Sequence, residues 1–395
     1  MLYIGIVVDN DFDHDHRVQK EIRLLQKAGH IIFVLCFDFG GNYKTYDNIE
    51  VTRIPISKPL KNLLVLLSSS LPFYEMFWTK KISKWINTNR LEAIHAHDLY
   101  MAKASKNGIL ESNHKKIKLT LDLHENYPAA INTYQWATKG IRKYIVNPKT
   151  WYKKEPKYLN LADNIITLSN SFKQELLSRY PFLKDKSIAV HPNIPDLETL
   201  EAYKNNKLKV DYTSKLPTLF YFGVVAKRRG IIEILPWLEE LLTEGLEFNI
   251  LIIGPTDKAD KSIFNKLRNS QNLQNHLTYI PWSDIDYLPA YLKKIQIGLA
   301  PFEVNPQHDS GVANKLYQYM FGKIPILATP CKAQKELIES NNCGLIYQDK
   351  NDFKEKLSTL LNDIDLRKEM GKNGIKALQQ LLLDKVDKDF LKLYS

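Results

Sequence analysis

Short runs of β-branched and aromatic residues recur along this chain, with amphipathic segments between most of them. The alternation breaks near residue 200 and then restarts. In the first half, Leu2–Val8, Ile31–Phe37, Ala93–Ala96, Leu119–Leu123, Ile165–Leu168 and Ile188–His191 read as strands. Arg17–Ala28, closed by Gly29-His30, and Ser171–Tyr180 read as helices. The second half repeats the pattern with Thr218–Phe222, Phe248–Ile253, Leu277–Ile280, Ile297–Ala300 and Ile324–Ala328 as strands. Its helices begin near Ile231, Lys258, Ile285, Val312 and Gln334, and amphipathic segments follow at Asp352–Leu361 and Leu366–Leu382. Such alternation predicts parallel sheets covered by helices, an α/β fold. A chain of 395 residues is long enough for two such domains. The exit from the first is expected at His191–Asp196, and the polar run Glu201–Lys215 reads as a loop. The expected division is a first domain over 1–195, a linker over 196–215, a second domain over 216–375 and a C-terminal helical segment over 376–395.

The most informative motif is Ser310-Gly311-Val312-Ala313-Asn314-Lys315, which leads through Gln318 to Gly322 and the next strand. A Ser-Gly turn entering a helix presents unpaired N–H groups and the positive end of the helix dipole, which suits phosphate. Lys315 adds a full charge in the first turn. Asn314 and Gln318 share one helix face, with Gln318 one turn further along, near a sugar attached to the phosphate. The alternative is an ordinary capped helix in an α/β domain.

Two further clusters sit at strand ends, where open α/β sheets bind ligands. His95, His97 and Asp98 end one predicted strand, and His124 and Glu125 end the next. Packing alone rarely places so many ionisable groups together; the alternatives are a metal site or a hydrogen-bonded surface cluster. The run Asp9-Asn10-Asp11-Phe12-Asp13-His14-Asp15-His16-Arg17 joins the first strand to the first helix. Its acids either cap the helix or bind ligand hydroxyls, and Arg17 is expected to approach an anionic ligand such as a phosphate.

The motifs together resemble glycosyltransferases built from two facing Rossmann-like domains, in particular the retaining group 1 or family 4 enzymes of bacterial polysaccharide synthesis. The ending NKLYQYMFGKIPIL is similar to that family's nucleotide-sugar motif. Ser310 and Gln318 stand where the family carries a pair of glutamates. Tyr221–Gly230 is similar to its glycine and cation element: Gly223 makes the turn, Arg229 takes the lysine position, and Val224 stands where an arginine is usual. HAHD and LDLHENYP complete the likeness over nearly the whole chain.

The resemblance implies two doubly wound domains with a cleft between them, the last helix, over Asp384–Leu393, returning to the first. It implies a nucleoside-diphosphate sugar as donor and a glycan or lipid-linked acceptor. Arg229, Lys315 and the amides of Ser310, Gly311, Val312 and Ala313 would hold the diphosphate, with Gln318 on the ribose and Trp282 against the base. His124 would face the donor sugar, with Arg17, Asp98 and Glu125 toward the acceptor; His95 and His97 read as structural. No metal and no cofactor is expected. A nucleotide-sugar epimerase on the same fold and a non-catalytic sugar-nucleotide-binding subunit are the competing readings.

A net charge of +11 asks for an anionic partner. No nucleic-acid-binding signature is present, so nucleic acid is not the expected one. The stretch from Lys58 to Lys84 sets leucines and aromatics between lysines. Its uncharged core, Asn62–Tyr74, is too short to span a bilayer. It reads either as an interfacial segment for an anionic membrane or as a buried helix. Cys36, Cys331 and Cys343 show no metal or redox spacing, and the N-terminus carries no signal-peptide pattern. The expected location is cytoplasmic, against the inner face of the membrane.

Overall fold

The computed structural model describes residues 1–13, 15–41, 43–133, 146, 148–195, 197–383 and 386–395. His14, Asp196 and Asp384, named above, lie outside them. The chain forms two compact units, Met1–Pro192 with Lys385–Ser395, and Asn193–Asp384.

The first unit holds β1 (Tyr3–Val7), β2 (Ile31–Asp38), β3 (Ile49–Pro55), β4 (Ala93–His97), β5 (Lys118–Asp122), β6 (Asn164–Thr167) and β7 (Ser187–Val190). They pair in parallel in the order β3-β2-β1-β4-β5-β6-β7. The order reverses between β1 and β4, so the loops after β1, β4 and β5 open at the position where doubly wound sheets bind ligands. The second unit holds β8 (Thr218–Phe222), β9 (Asn249–Ile253), β10 (Leu277–Ile280), β11 (Ile297–Ala300), β12 (Ile326–Ala328) and β13 (Gly344–Ile346). These are also parallel, in the order β10-β9-β8-β11-β12-β13, with the reversal between β8 and β11. The α/β, doubly wound architecture predicted for each half is therefore present.

Three expectations are corrected. The strands β3 and β13 had not been predicted. β3 is an edge strand that mixes Glu50, Thr52 and Arg53 with its apolar residues, and β13 has three residues. The segment 196–215 is not a plain linker: Leu197–Asn205 is a helix, and Leu200, Tyr203 and Tyr212 are buried in the second unit's core. The tail is not a single segment over 376–395; it divides after Asp384. Helix Ile364–Leu383 belongs to the second unit, whereas Val386–Leu391 packs in the first. There Phe390 stacks on His191 with ring centroids 4.7 Å apart, and the Tyr394 hydroxyl lies 2.5 Å from His95 Nδ1.

The stretch Lys58–Lys84 divides between two helices. Lys58–Leu67 has no buried residue, while Phe73–Asn89 buries Tyr74, Trp78, Ile82, Trp85 and Ile86. Leu60, Leu63, Leu71, Phe73 and Met76 remain exposed, as do Lys80, Lys81 and Lys84. No described helix is long and apolar enough to cross a membrane.

Candidate functional site

In the second unit the site begins with two glycines. β8 ends at Gly223, whose φ of 131° lies in a region that suits glycine. Gly230, with φ 75°, lets the turn Lys227–Arg229 pass against β11's exit loop; a Cβ there would lie 1.4 Å from the Pro301 carbonyl oxygen. Across the reversal, the loop after β11 leads to helix Asn314–Phe321. Ala313 is its N-cap and supplies no side-chain cap, so the first turn's N–H groups have no side-chain acceptor there.

Lys315 is the decisive group. Only 7% of it is exposed, and its Nζ makes no hydrogen bond. The ammonium lies 3.5 Å from the centroid of the Tyr221 ring and 4.9 Å from that of Phe302. Arg229 stands 5.5 Å over the same Phe302 ring. Burial pushes the Lys315 pKa well below the usual lysine range, and Arg229 pushes it the same way. Two basic side chains and an uncapped helix start therefore lie together, and among the described residues no anion balances Lys315. Burying a charge without a partner is costly, which is why burial and Arg229 together depress the Lys315 pKa. Ser310 is buried and its hydroxyl donates to the Gln307 carbonyl at 2.6 Å. Asn314 is exposed. Gln318 is half-buried against the Tyr203 hydroxyl, and its Oε1 accepts no hydrogen bond. Trp282 follows the edge strand β10 and is 72% exposed.

In the first unit the loops after β4 and β5 bring Asp98 and His124 together, as expected. Asp98 sits at φ 73° and accepts from the Tyr100 hydroxyl at 3.1 Å. Burial raises its pKa, against the pull of His124. His124 keeps 21% of its side chain exposed. Its Nε2 lies 3.0 Å from Asp122 Oδ2 and 2.7 Å from His97 Nδ1. Burial disfavours its charge, but Asp98 and Asp122 outweigh burial and lift its pKa to about 10. Its Nδ1 has no hydrogen-bond partner among the described residues. Glu125 is half-buried.

Arg17 is corrected. It does not face an acceptor: it is buried, with Nε and Nη2 gripping both oxygens of Asp122 at 2.8 and 2.7 Å. Nη1 donates to the His191 carbonyl at 2.8 Å. Arg17 holds the Asp122 that positions His124. The acidic run is also largely occupied. Asp15 caps the first helix, Asp13 pairs with Arg53 and Tyr46, and Asp9 accepts from Tyr74. Sequence reasoning passed over Asp122 and Glu21 because each was read as an ordinary strand or helix residue. Among the described residues, Glu21, His95, His97 and Asp122 are also the group that offers metal-ligand atoms, all within 4.8 Å of one another.

Comparisons with known proteins place the chain in a family. Residues 17–199 match the model of Glycosyltransferase Family 4, and residues 204–377 match that of Glycosyl transferases group 1. A capsular polysaccharide biosynthesis glycosyltransferase, CapM, of Staphylococcus aureus is 24% identical over 254 residues, 61% of this chain and 62% of the relative. An uncharacterised glycosyltransferase of Methanocaldococcus jannaschii is 22% identical over 89% of this chain and 86% of its own length. The structure of sucrose-phosphate synthase from Thermosynechococcus elongatus superposes with a TM-score of 0.73 at 15% identity, covering 100% of this chain and 98% of that one. With two such matched halves on two parallel-sheet domains, the chain is a glycosyltransferase of the GT-B fold, belonging to the group 1 and family 4 enzymes.

Proposed function

We propose that this glycosyltransferase moves a sugar from a nucleoside-diphosphate donor to a glycan or lipid-linked acceptor, with retention, in the synthesis of a surface polysaccharide. The observation that carries the donor assignment is the buried, unpartnered Lys315 Nζ at an uncapped helix start, with Arg229 across the Phe302 ring. Breaking the sugar–phosphate bond leaves negative charge on the diphosphate. Fixed cations and amides in a site shielded from water stabilise that charge most as it develops. Lys315, Arg229 and the amides of residues 311–314 take that part, and no divalent metal is needed for it. His124 supplies a donor N–H from Nδ1 to the reacting sugar. The resemblance of the motifs and the CapM likeness support the polysaccharide role.

The test is incubation with a panel of nucleotide sugars, with and without membrane extract, read by mass and by anomeric NMR. Acceptor-dependent transfer with an unchanged anomeric configuration is expected. Epimer or free sugar formed without acceptor would favour the epimerase reading, and no turnover with tight donor binding would favour a non-catalytic subunit.

Gln318 refines the donor reading. Its free Oε1 can accept from a ribose hydroxyl. Gln318→Ala is expected to weaken a nucleoside diphosphate by about 0.5–1.5 kcal/mol, the net worth of a neutral hydrogen bond, and to leave inorganic diphosphate unaffected. Equal weakening of both ligands in calorimetry would make Gln318 a support of the helix rather than a reader of the ribose.

The exposed leucines, Phe73 and Met76 beside Lys80, Lys81 and Lys84 support a peripheral position on the inner face of an anionic membrane. Lysines near such a surface gain ~1 kcal/mol each, and salt removes the gain. Reversing the charge of the three lysines is expected to abolish sedimentation with phosphatidylserine vesicles. Unchanged sedimentation would point to a soluble acceptor and location.

A further inference from the structure

Behind His124, three side chains aim at one buried point. A strand presents residues two apart on the same face, so His95 and His97 on β4 stand side by side, their rings stacked at 4.5 Å. Glu21, from helix His16–Lys27, reaches the same point. The three residues are 0%, 0% and 1% exposed in the order Glu21, His95, His97.

Their outer atoms are engaged. Glu21 Oε1 is 2.9 Å from His191 Nδ1, and His95 Nδ1 is 2.5 Å from the Tyr394 hydroxyl. His97 Nδ1 is 3.3 Å from Asp122 Oδ2 and 2.7 Å from His124 Nε2. Their inner atoms are not: Glu21 Oε2, His95 Nε2 and His97 Nε2 make no hydrogen bond. Those are the three atoms that converge, with Oε2 3.5 Å from His95 Nε2 and 3.9 Å from His97 Nε2. Neighbouring ligands around a tetrahedral zinc with bonds of ~2.0–2.1 Å are about 3.3–3.4 Å apart. The two carboxylate–imidazole separations need to close by only a few tenths of an ångström, and all the ligand atoms of the group lie within 4.8 Å of one another.

We propose that Glu21, His95 and His97 bind a divalent transition ion of the zinc class through these three atoms. Two imidazoles and a carboxylate suit such an ion and not magnesium or calcium, which take oxygen ligands. The outer contacts match what metal-bound imidazoles require, a second partner that fixes each ring. Asp122 does this for His97, Tyr394 does it for His95, and His191 orients Glu21. Asp122 is the nearest fourth group; Arg17 already grips both of its oxygens, so it serves as an outer carboxylate. The charge around the point also favours a cation. Glu21, Asp122, Asp98 and Asp387 surround it, against Arg17, Lys20 and His124. The ion would tie the first helix, β4 and the returning C-terminal segment together. It is a buried structural site, separate from the donor cradle of the second unit.

The test is elemental analysis of full-length protein grown with zinc and purified without a metal-affinity tag. About one transition ion per folded chain is expected, and cobalt exchanged into the site should give visible ligand-field absorption. Glu21→Gln and His95→Gln should lose both signals, while His114→Gln, at an exposed histidine outside the cluster, should keep them. Because the primary reading is on wild type, it survives any folding failure of the variants. Folded wild type that retains no transition ion and gives no cobalt absorption overturns the site. So does full metal content in both cluster variants.

Discussion

Binding of a nucleoside diphosphate should take up a proton at Lys315. In the free protein, burial and then Arg229 hold the Lys315 pKa well below its usual range. A diphosphate brought against Nζ favours the ammonium and raises that pKa again. Between the free and bound values, binding therefore takes up as much as one proton. The sign follows from linkage: affinity is greatest below the free pKa and falls as pH rises through the window, by up to about tenfold per pH unit. Phosphate groups with a second pKa of ~6 add nothing above pH 7.5, where they are fully ionised. Calorimetry at pH 8 in buffers of different ionisation enthalpy, with chelator present, measures the uptake. Lys315→Ala should abolish it and weaken binding by about 1.5–3 kcal/mol, the scale for a hydrogen bond to a charged group. Arg229→Ala should weaken binding without abolishing the uptake. Equal proton uptake in wild type and Lys315→Ala would remove Lys315 from the phosphate. Binding that appears only when a divalent metal is restored would overturn the metal-free cradle.

The position of Lys315 in a helix's first turn was readable from the chain; its burial was not. Lysines are rarely buried, and nothing local says that Tyr221 and Phe302, from two other elements, will wall this one in. The same distinction runs through the molecule. Strands such as Thr218–Phe222 and Ile297–Ala300 were legible because they are continuous apolar runs between turn signals. The edge strand β3 was not, because three of its seven residues are polar. Helix Leu197–Asn205 was lost in a polar run whose few anchors, Leu200 and Tyr203, acquire meaning only once they are packed. Arg17 shows the limit most clearly. Its cationic side chain at a helix start suggested an anionic ligand, but its anion is Asp122, 105 residues away in the chain. That pairing depends on β5 lying close to the first helix, which only the assembled sheet reveals.

His124→Ala should lower turnover by about 10²-fold or more while leaving diphosphate binding nearly unchanged. The geometry separates the two effects, because His124 belongs to the first unit and the phosphate cradle to the second. Nε2 is fixed by Asp122 and His97, so the proposed substrate contact falls to Nδ1. Replacements can test that assignment. An asparagine amide falls near the position of Nδ1 and a glutamine amide near that of Nε2. If His124 acts by donating from Nδ1, His124→Asn should retain more turnover than either His124→Gln or His124→Ala. A general-base role predicts that neither amide helps, since an amide takes no proton. Asp122 is a poorer target for the same question. Breaking its buried pair with Arg17 costs about 3–5 kcal/mol of stability and would confuse lost folding with lost chemistry. Steady-state kcat and KM, read beside the thermal midpoint of each variant, decide the matter. Wild-type turnover in His124→Ala would return this histidine to the buried network behind it. A parallel loss of kcat and of diphosphate affinity, with an unchanged midpoint, would mean that it grips the donor before the bond breaks.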